Sequence, residues 1–84
     1  MIEDTRLVSG VVVIMRGHLA LFSSDIGEDA LHPIATNLVK MMRRSESKMA
    51  REQYVSTELN KLNAAPNPYK EIVAETCALV KNAN

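Results

Sequence analysis

Two opposed stripes of side chains run along the segment that starts at Pro33. The basic stripe has intervals of four, four and three residues and consists of Lys40, Arg44, Lys48 and Arg51. The apolar stripe on the other side consists of Leu31, Leu38, Met42 and Met49. At about 100° per residue, the four bases fall within an arc of about 80° on a helix. The pattern predicts a helix that buries one side and leaves the other in water or against a negative partner.

The chain is short for a self-sufficient core. Its 84 residues are expected to form one domain over residues 1–84, and such a domain buries only about 60–65% of its unfolded surface. The single cysteine, Cys77, cannot form an internal disulfide, and the histidines and cysteine lack metal-ligand spacing. We therefore expect no metal and no cofactor, and we expect association with a second copy to supply the missing burial.

The first predicted helix covers residues 5–22. Leu7 begins an apolar face with helical spacing, and Asp4 is suited to cap the first turn. The β-branched run Val11–Ile14 weakens this prediction, because such side chains lose rotamer freedom in a helix. A hairpin with strands 7–15 and 18–23 remains the alternative, although two strands need further strands to be stable and the sequence offers none.

The second predicted helix covers residues 33–62, with Pro33 at its first position. Val55, Leu59 and Leu62 fall about 80–140° away from the earlier apolar stripe. Three explanations remain open, namely a kink at 50–54, a break within 43–48, and a discontinuous coiled coil. A continuous helix of this length spans about 45 Å, which is too long for the rest of the chain to cover.

The third predicted helix covers residues 68–81. The two prolines in Asn63–Pro68 end the preceding helix, and Asn67 is suited to cap the next one. The fold class expected from these segments is all-α. It is a three-helix domain, or a four-helix domain if the middle helix is split, which forms a helical bundle with a second copy.

Charge is distributed unevenly along a chain that is neutral overall. Residues 1–31 contain two basic and five acidic side chains, whereas residues 32–62 contain six basic and three acidic ones. Opposite charges of this kind attract each other within a chain or between two copies. Most charged helix faces are simply solvated, so the pattern by itself identifies no partner.

These features favour a non-enzymatic protein–protein interaction module, a homodimeric adaptor or regulator. The predicted interface consists of Leu38, Met42, Met49, Val55, Leu59 and Leu62. The alternative is a helical nucleic-acid-binding regulator whose phosphate contacts are Lys40, Arg43, Arg44, Lys48 and Arg51. The neutral net charge counts against this alternative, because dedicated nucleic-acid binders are usually basic.

No residue is predicted to be catalytic. His18 is expected to be a packed, hydrogen-bonded side chain, and His32 is expected to lie at a helix start. Cys77 lies late in its helix, where the helix dipole opposes a thiolate. Glu28 and Asp29 are adjacent in a predicted loop, without the burial that acid catalysis requires.

The absence of a recognisable targeting signal favours a cytoplasmic protein. Two acidic residues, Glu3 and Asp4, stand where a secretory signal would be basic. The apolar stretch 7–22 contains Arg16 and is too short to span a bilayer of about 30 Å. We therefore expect no membrane association, and the lone thiol is consistent with a reducing compartment.

Overall fold

The computed structural model describes residues 4–20 and 26–83, and these residues form four α-helices without a strand. The helices are α1 (Asp4–Leu19), α2 (Glu28–Arg43), α3 (Lys48–Lys61) and α4 (Tyr69–Ala83). The all-α prediction is therefore confirmed in its four-helix version. The hairpin alternative is wrong for strand 7–15, which is helical, and the part of its second strand at 21–23 lies outside the described residues. The same holds for the predicted helix end at 21–22.

α2 begins five residues before the predicted start at Pro33. Proline inside a helix removes one backbone hydrogen bond and crowds the preceding turn. Favourable contacts offset this cost. Leu31 is completely buried in the core, and Glu28 in the first turn is 2.5 Å from the Arg16 guanidinium of α1. An acidic first turn also suits the positive end of the helix dipole.

The predicted continuous helix 33–62 is wrong, because α2 ends at Arg43 and α3 begins at Lys48. The end of α2 is a Schellman motif, in which the Ser45 N–H donates to the Met42 carbonyl and the Glu46 N–H donates to the Met41 carbonyl. Ser45 has a φ of 57°, the left-handed conformation that this motif requires. The break thus lies within 43–48, one of the three explanations left open, and the alternative kink at 50–54 falls inside α3.

Side chains and backbone also fix the two ends of α3. The Ser47 hydroxyl accepts a hydrogen bond from the Ala50 N–H at 3.1 Å and caps the amino end. At the other end Asn63 has a φ of 62°, and the Ala64 N–H donates to the Leu59 carbonyl. This second Schellman motif turns the chain toward α4.

We expect Ser45→Gly to stabilise the domain by about 1 kcal/mol, because glycine adopts a positive φ without the steric cost of a Cβ. The expected gain is measured by urea unfolding. Ser47→Gly is the comparison variant, since position 47 has an extended conformation (φ −64°, ψ 157°), and we expect a loss of a few tenths of a kcal/mol because the capping hydroxyl is removed. A loss of stability in Ser45→Gly would contradict the left-handed turn.

The break removes the argument that the middle helix is too long for the rest of the chain to cover. α2 has 16 residues and α3 has 14, so their lengths are about 24 and 21 Å at 1.5 Å per residue. The radius of gyration is 11.7 Å, close to the value of about 12 Å expected for a single folded chain of this size. The sequence-based reason for a second copy, a helix too long to be covered, therefore does not hold.

The helices enclose one aliphatic cluster. α1 and α2 are antiparallel, since Arg16 pairs with Glu28 at one end and Arg43 lies 3.0 Å from Asp4 at the other. α1 also packs on α4, while α3 packs mainly on α4 and less on α2. The fully buried large side chains include Leu7, Val11, Met15, Leu19, Leu31, Leu38, Val55, Leu59 and Ile72.

α4 begins at Tyr69 and runs two residues further than predicted. The Pro68 carbonyl accepts the first helical hydrogen bond, from the Ile72 N–H. Asn67 therefore does not cap α4. Its side-chain amide donates instead to the Ser56 carbonyl and to Asn60 Oδ1, both at 2.9 Å, which ties the α3–α4 connection back to α3.

We expect Gly17→Ala in α1 to stabilise the domain by about 0.5–1 kcal/mol through helix propensity. Gly17 is exposed, and a Cβ there would have no neighbour within 4 Å. Gly10→Ala is the matched comparison, because its Cβ would lie 2.8 Å from Leu79 Cδ2 and the leucine must move. Thermal unfolding should give a smaller gain for Gly10→Ala, and equal gains would contradict the close packing of α1 on α4.

Candidate interaction surface

The six predicted interface residues do not form one surface. Leu38, Val55 and Leu59 have an exposed fraction of 0% and belong to the core of their own chain. Met42 and Leu62 are partly buried against that core, and Met49 is 77% exposed. The turn at 44–47 explains this outcome. After the turn, α3 begins with a different rotation about its axis. A helical wheel that treats residues 33–62 as one helix therefore assigns the side chains of α3 to the wrong faces.

The five basic residues are also divided by the turn. Arg43 reaches Asp4 on α1, Arg44 lies 2.8 Å from Glu46, and Lys48 lies 4.0 Å from Glu52. Arg43 thus pairs across to α1, and Arg44 and Lys48 pair with glutamates close to them in sequence, so the predicted continuous stripe does not form.

Lys40 and Arg51 differ from the other three bases. Within residues 4–20 and 26–83 neither makes an ion pair. Lys40 is exposed, whereas Arg51 is half-buried. The Nε atom of Arg51 is buried and has no hydrogen-bond acceptor in the described part of the chain.

The candidates for chemistry, His18, His32 and Cys77, lie on three different helices. His18 is hydrogen-bonded to the Glu75 carboxylate and thereby joins α1 to α4, as expected of a packed histidine. His32 is exposed at the fifth position of α2, so the prediction that it lies at a helix start is wrong. Cys77 is half-buried on α4. In the described parts of the chain, no group of three or more histidine, cysteine, aspartate or glutamate side chains is arranged to hold a metal ion.

Two shallow grooves each contain an exposed apolar side chain. The α3 groove has a volume of about 360 Å³ and is lined by Met49, Glu52, Gln53, Ser56, Thr57 and Tyr69. The α1–α2 groove has a volume of about 260 Å³ and is lined by Ser9, Val12, Val13, Glu28, Asp29 and His32. Met49 is 77% exposed and Val13 is 70% exposed, and they are the exposed large hydrophobic residues of the described chain. Both grooves are therefore candidate contact surfaces.

A further surface runs along the outside of α2. Asp29, Pro33, Thr36 and Lys40 follow one another at intervals of four, three and four residues, and we call them the α2 outer line. Thr36 is half-buried and the other three are exposed. Sequence reasoning missed this line, because Pro33 was placed at the helix start and Asp29 in a loop. The signal that could have found it is the opposite charge of residues 29 and 40, which are three helical turns apart.

None of the helices in residues 4–20 and 26–83 combines the length and the apolar character needed to cross a lipid bilayer. Comparison of the chain with protein-family models, curated proteins and solved structures gave no match. The assignment of a function therefore depends on the surfaces described above.

Proposed function

We propose that this chain is a non-enzymatic protein–protein interaction module that associates with a second copy of itself. The observation that supports this proposal is the exposure of Val13 and Met49 outside a core that is otherwise closed. Burial of a valine or methionine side chain contributes about 1.5–3 kcal/mol relative to leaving it exposed. A partner that covers these side chains would gain this stabilisation.

The surroundings of the two side chains also suit protein contacts. Met49 shares its groove with Tyr69, and methionine and tyrosine are enriched in protein interfaces. Val13 shares its groove with Asp29 and His32, so an apolar centre is bordered by polar side chains. An apolar centre with a polar rim is the usual anatomy of a protein interface.

Sedimentation equilibrium over a concentration series tests self-association. We expect the average mass to rise above the single-chain value of 9.3 kDa as the protein concentration rises from about 10 μM toward 1 mM, a range suited to small interfaces. A constant single-chain mass over the whole series would contradict the proposal. We further propose a role as an adaptor or regulator in the cytoplasm, since the lone thiol suits a reducing compartment.

A second candidate function is nucleic-acid binding, and the observation that favours it is Arg51. Arg51 makes no ion pair within residues 4–20 and 26–83, and phosphate oxygens readily accept from a guanidinium group. Fluorescence anisotropy with labelled DNA and RNA duplexes at low salt tests this candidate. Binding that is lost in Arg51→Gln would support it, and no binding at low salt would eliminate it.

A further inference from the structure

We propose that two copies associate through the α2 outer line (Asp29, Pro33, Thr36 and Lys40), with one α2 packed antiparallel to the other. This inference depends on the proposed self-association and assigns it to one surface. The four positions lie within an arc of about 60° on the helix, so they form a single straight edge. Residues 29 and 40 are separated by about 16 Å along the helix axis.

The α2 outer line is complementary to itself. In an antiparallel pair, Asp29 of one copy lies opposite Lys40 of the other, and Pro33 lies opposite Thr36. Both pairings are centred at the same point, midway between Ile34 and Ala35. A twofold axis through this point therefore satisfies all contacts at once, as an isologous dimer interface requires.

Two charges on this line are available for an intermolecular contact. Glu28 and Arg43 on the same helix, and Arg44 directly after it, each have an ion-pair partner within their own chain. Asp29 and Lys40 have none among residues 4–20 and 26–83. An antiparallel copy supplies both with the opposite charge, whereas a parallel copy would place like charges together. The charges thus select the antiparallel orientation.

The centre of the line allows the two helices to approach each other closely. Pro33 and Thr36 have short side chains, and Thr36 Oγ1 already donates to the His32 carbonyl at 2.9 Å, so it needs no partner across the interface. Small side chains at a crossing point allow axial distances toward the lower end of the usual 8–10 Å.

Apolar surface lies beside this edge. Asp29 also lines the α1–α2 groove, which contains the exposed Val13. A second α2 packed on the line would therefore come near this side chain. Because the line carries both signs of charge, a second copy fits it better than a polyanion, which Glu28 and Asp29 would repel.

Charge reversal provides the test. The Asp29→Lys chain carries lysine at both positions, and the Lys40→Asp chain carries aspartate at both. Each variant by itself places like charges at both ends of the proposed interface, and we expect its dissociation constant to rise about tenfold or more. An equimolar mixture of the two variants restores opposite charges at both ends, so we expect mixed dimers, identified by native mass spectrometry.

Lys70→Asp is the matched control, because Lys70 is exposed on α4 and far from the line in sequence. We expect this variant to associate like the wild type, and circular dichroism verifies that all variants are folded. If the wild type does not self-associate, both the proposed function and this inference fail. If the wild type dimerises but the reversals have no effect, or the mixture forms no mixed dimers, the α2 outer line is overturned while self-association stands.

Discussion

Replacement of Leu38 by alanine is expected to lower the free energy of unfolding by about 2–5 kcal/mol, the range for a leucine truncated in a closed core. Leu38 has an exposed fraction of 0% and packs within the single aliphatic cluster. A domain of this size has a total stability of about 4–13 kcal/mol, so the expected loss is a large share of the total and shifts the unfolding midpoint to a clearly lower urea concentration. Urea unfolding followed by far-UV circular dichroism measures the loss.

Met49→Ala is the control for this experiment. The sequence-based interpretation placed Leu38 and Met49 in the same interface, whereas the structure places one in the core and leaves the other 77% exposed. At protein concentrations below the range in which association is expected, we expect Met49→Ala to change stability by no more than about 0.5 kcal/mol. If Leu38→Ala unfolds with the same midpoint as the wild type, the assignment of α2 to the core of its own chain is wrong.

The second large effect is expected from Asn67→Asp, which we expect to cost about 2–3 kcal/mol. The Asn67 amide donates to the Ser56 carbonyl and to Asn60 Oδ1, both at 2.9 Å. Aspartate has nearly the same shape but has no donor when ionised, and it directs a negative charge at two oxygen atoms. Thermal unfolding at neutral pH measures the loss.

Asn60→Ala distinguishes the two hydrogen bonds of Asn67. This variant removes one acceptor at an exposed position and leaves the bond to the Ser56 carbonyl, so we expect a cost of about 1 kcal/mol or less. Asn67→Asp must therefore be the more destabilising of the two. Equal stability of Asn67→Asp and the wild type would show that this side chain does not hold the α3–α4 connection in place.

The helical class and much of the core follow from sequence periodicity. Leu7, Val11 and Met15 in α1 repeat at intervals of four, and all three are buried as their spacing predicts. Ile72, Val73 and Val80 lie on one face of α4, with intervals of one and seven residues, and are also buried as their spacing predicts. Periodicity predicts the buried residues of α1 and α4 correctly because each apolar pattern lies within one uninterrupted helix, where the rotation per residue is constant.

The ends of α2 could not be predicted from the same signals. Its carboxyl end has serine in the left-handed position where glycine is usual, so the stop signal was weak. Its amino end lies before Pro33, and the cost of a proline inside a helix predicts that the helix starts at the proline. The tertiary contacts of Leu31 and Glu28 offset this cost.

The predicted interface, the basic stripe and the α2 outer line all depend on where α2 begins and ends. Once the chain turns at 44–47, side chains grouped by a continuous helical wheel separate into core, rim and solvent positions. Of the basic stripe, Arg44 and Lys48 then form ion pairs with nearby glutamates, whereas Lys40 and Arg51 form none among the described residues. The α2 outer line becomes recognisable only when residues 28–32 are known to be helical.

The closed core has a consequence for how the chain assembles. A chain that buries Leu38, Val55 and Leu59 within its own fold needs no second molecule to complete its core. Under the proposed self-association, association and dissociation would exchange folded subunits, and surface contacts rather than unfolding would set the exchange rate. The protein concentration would then determine the fraction of paired subunits, while each subunit stays folded.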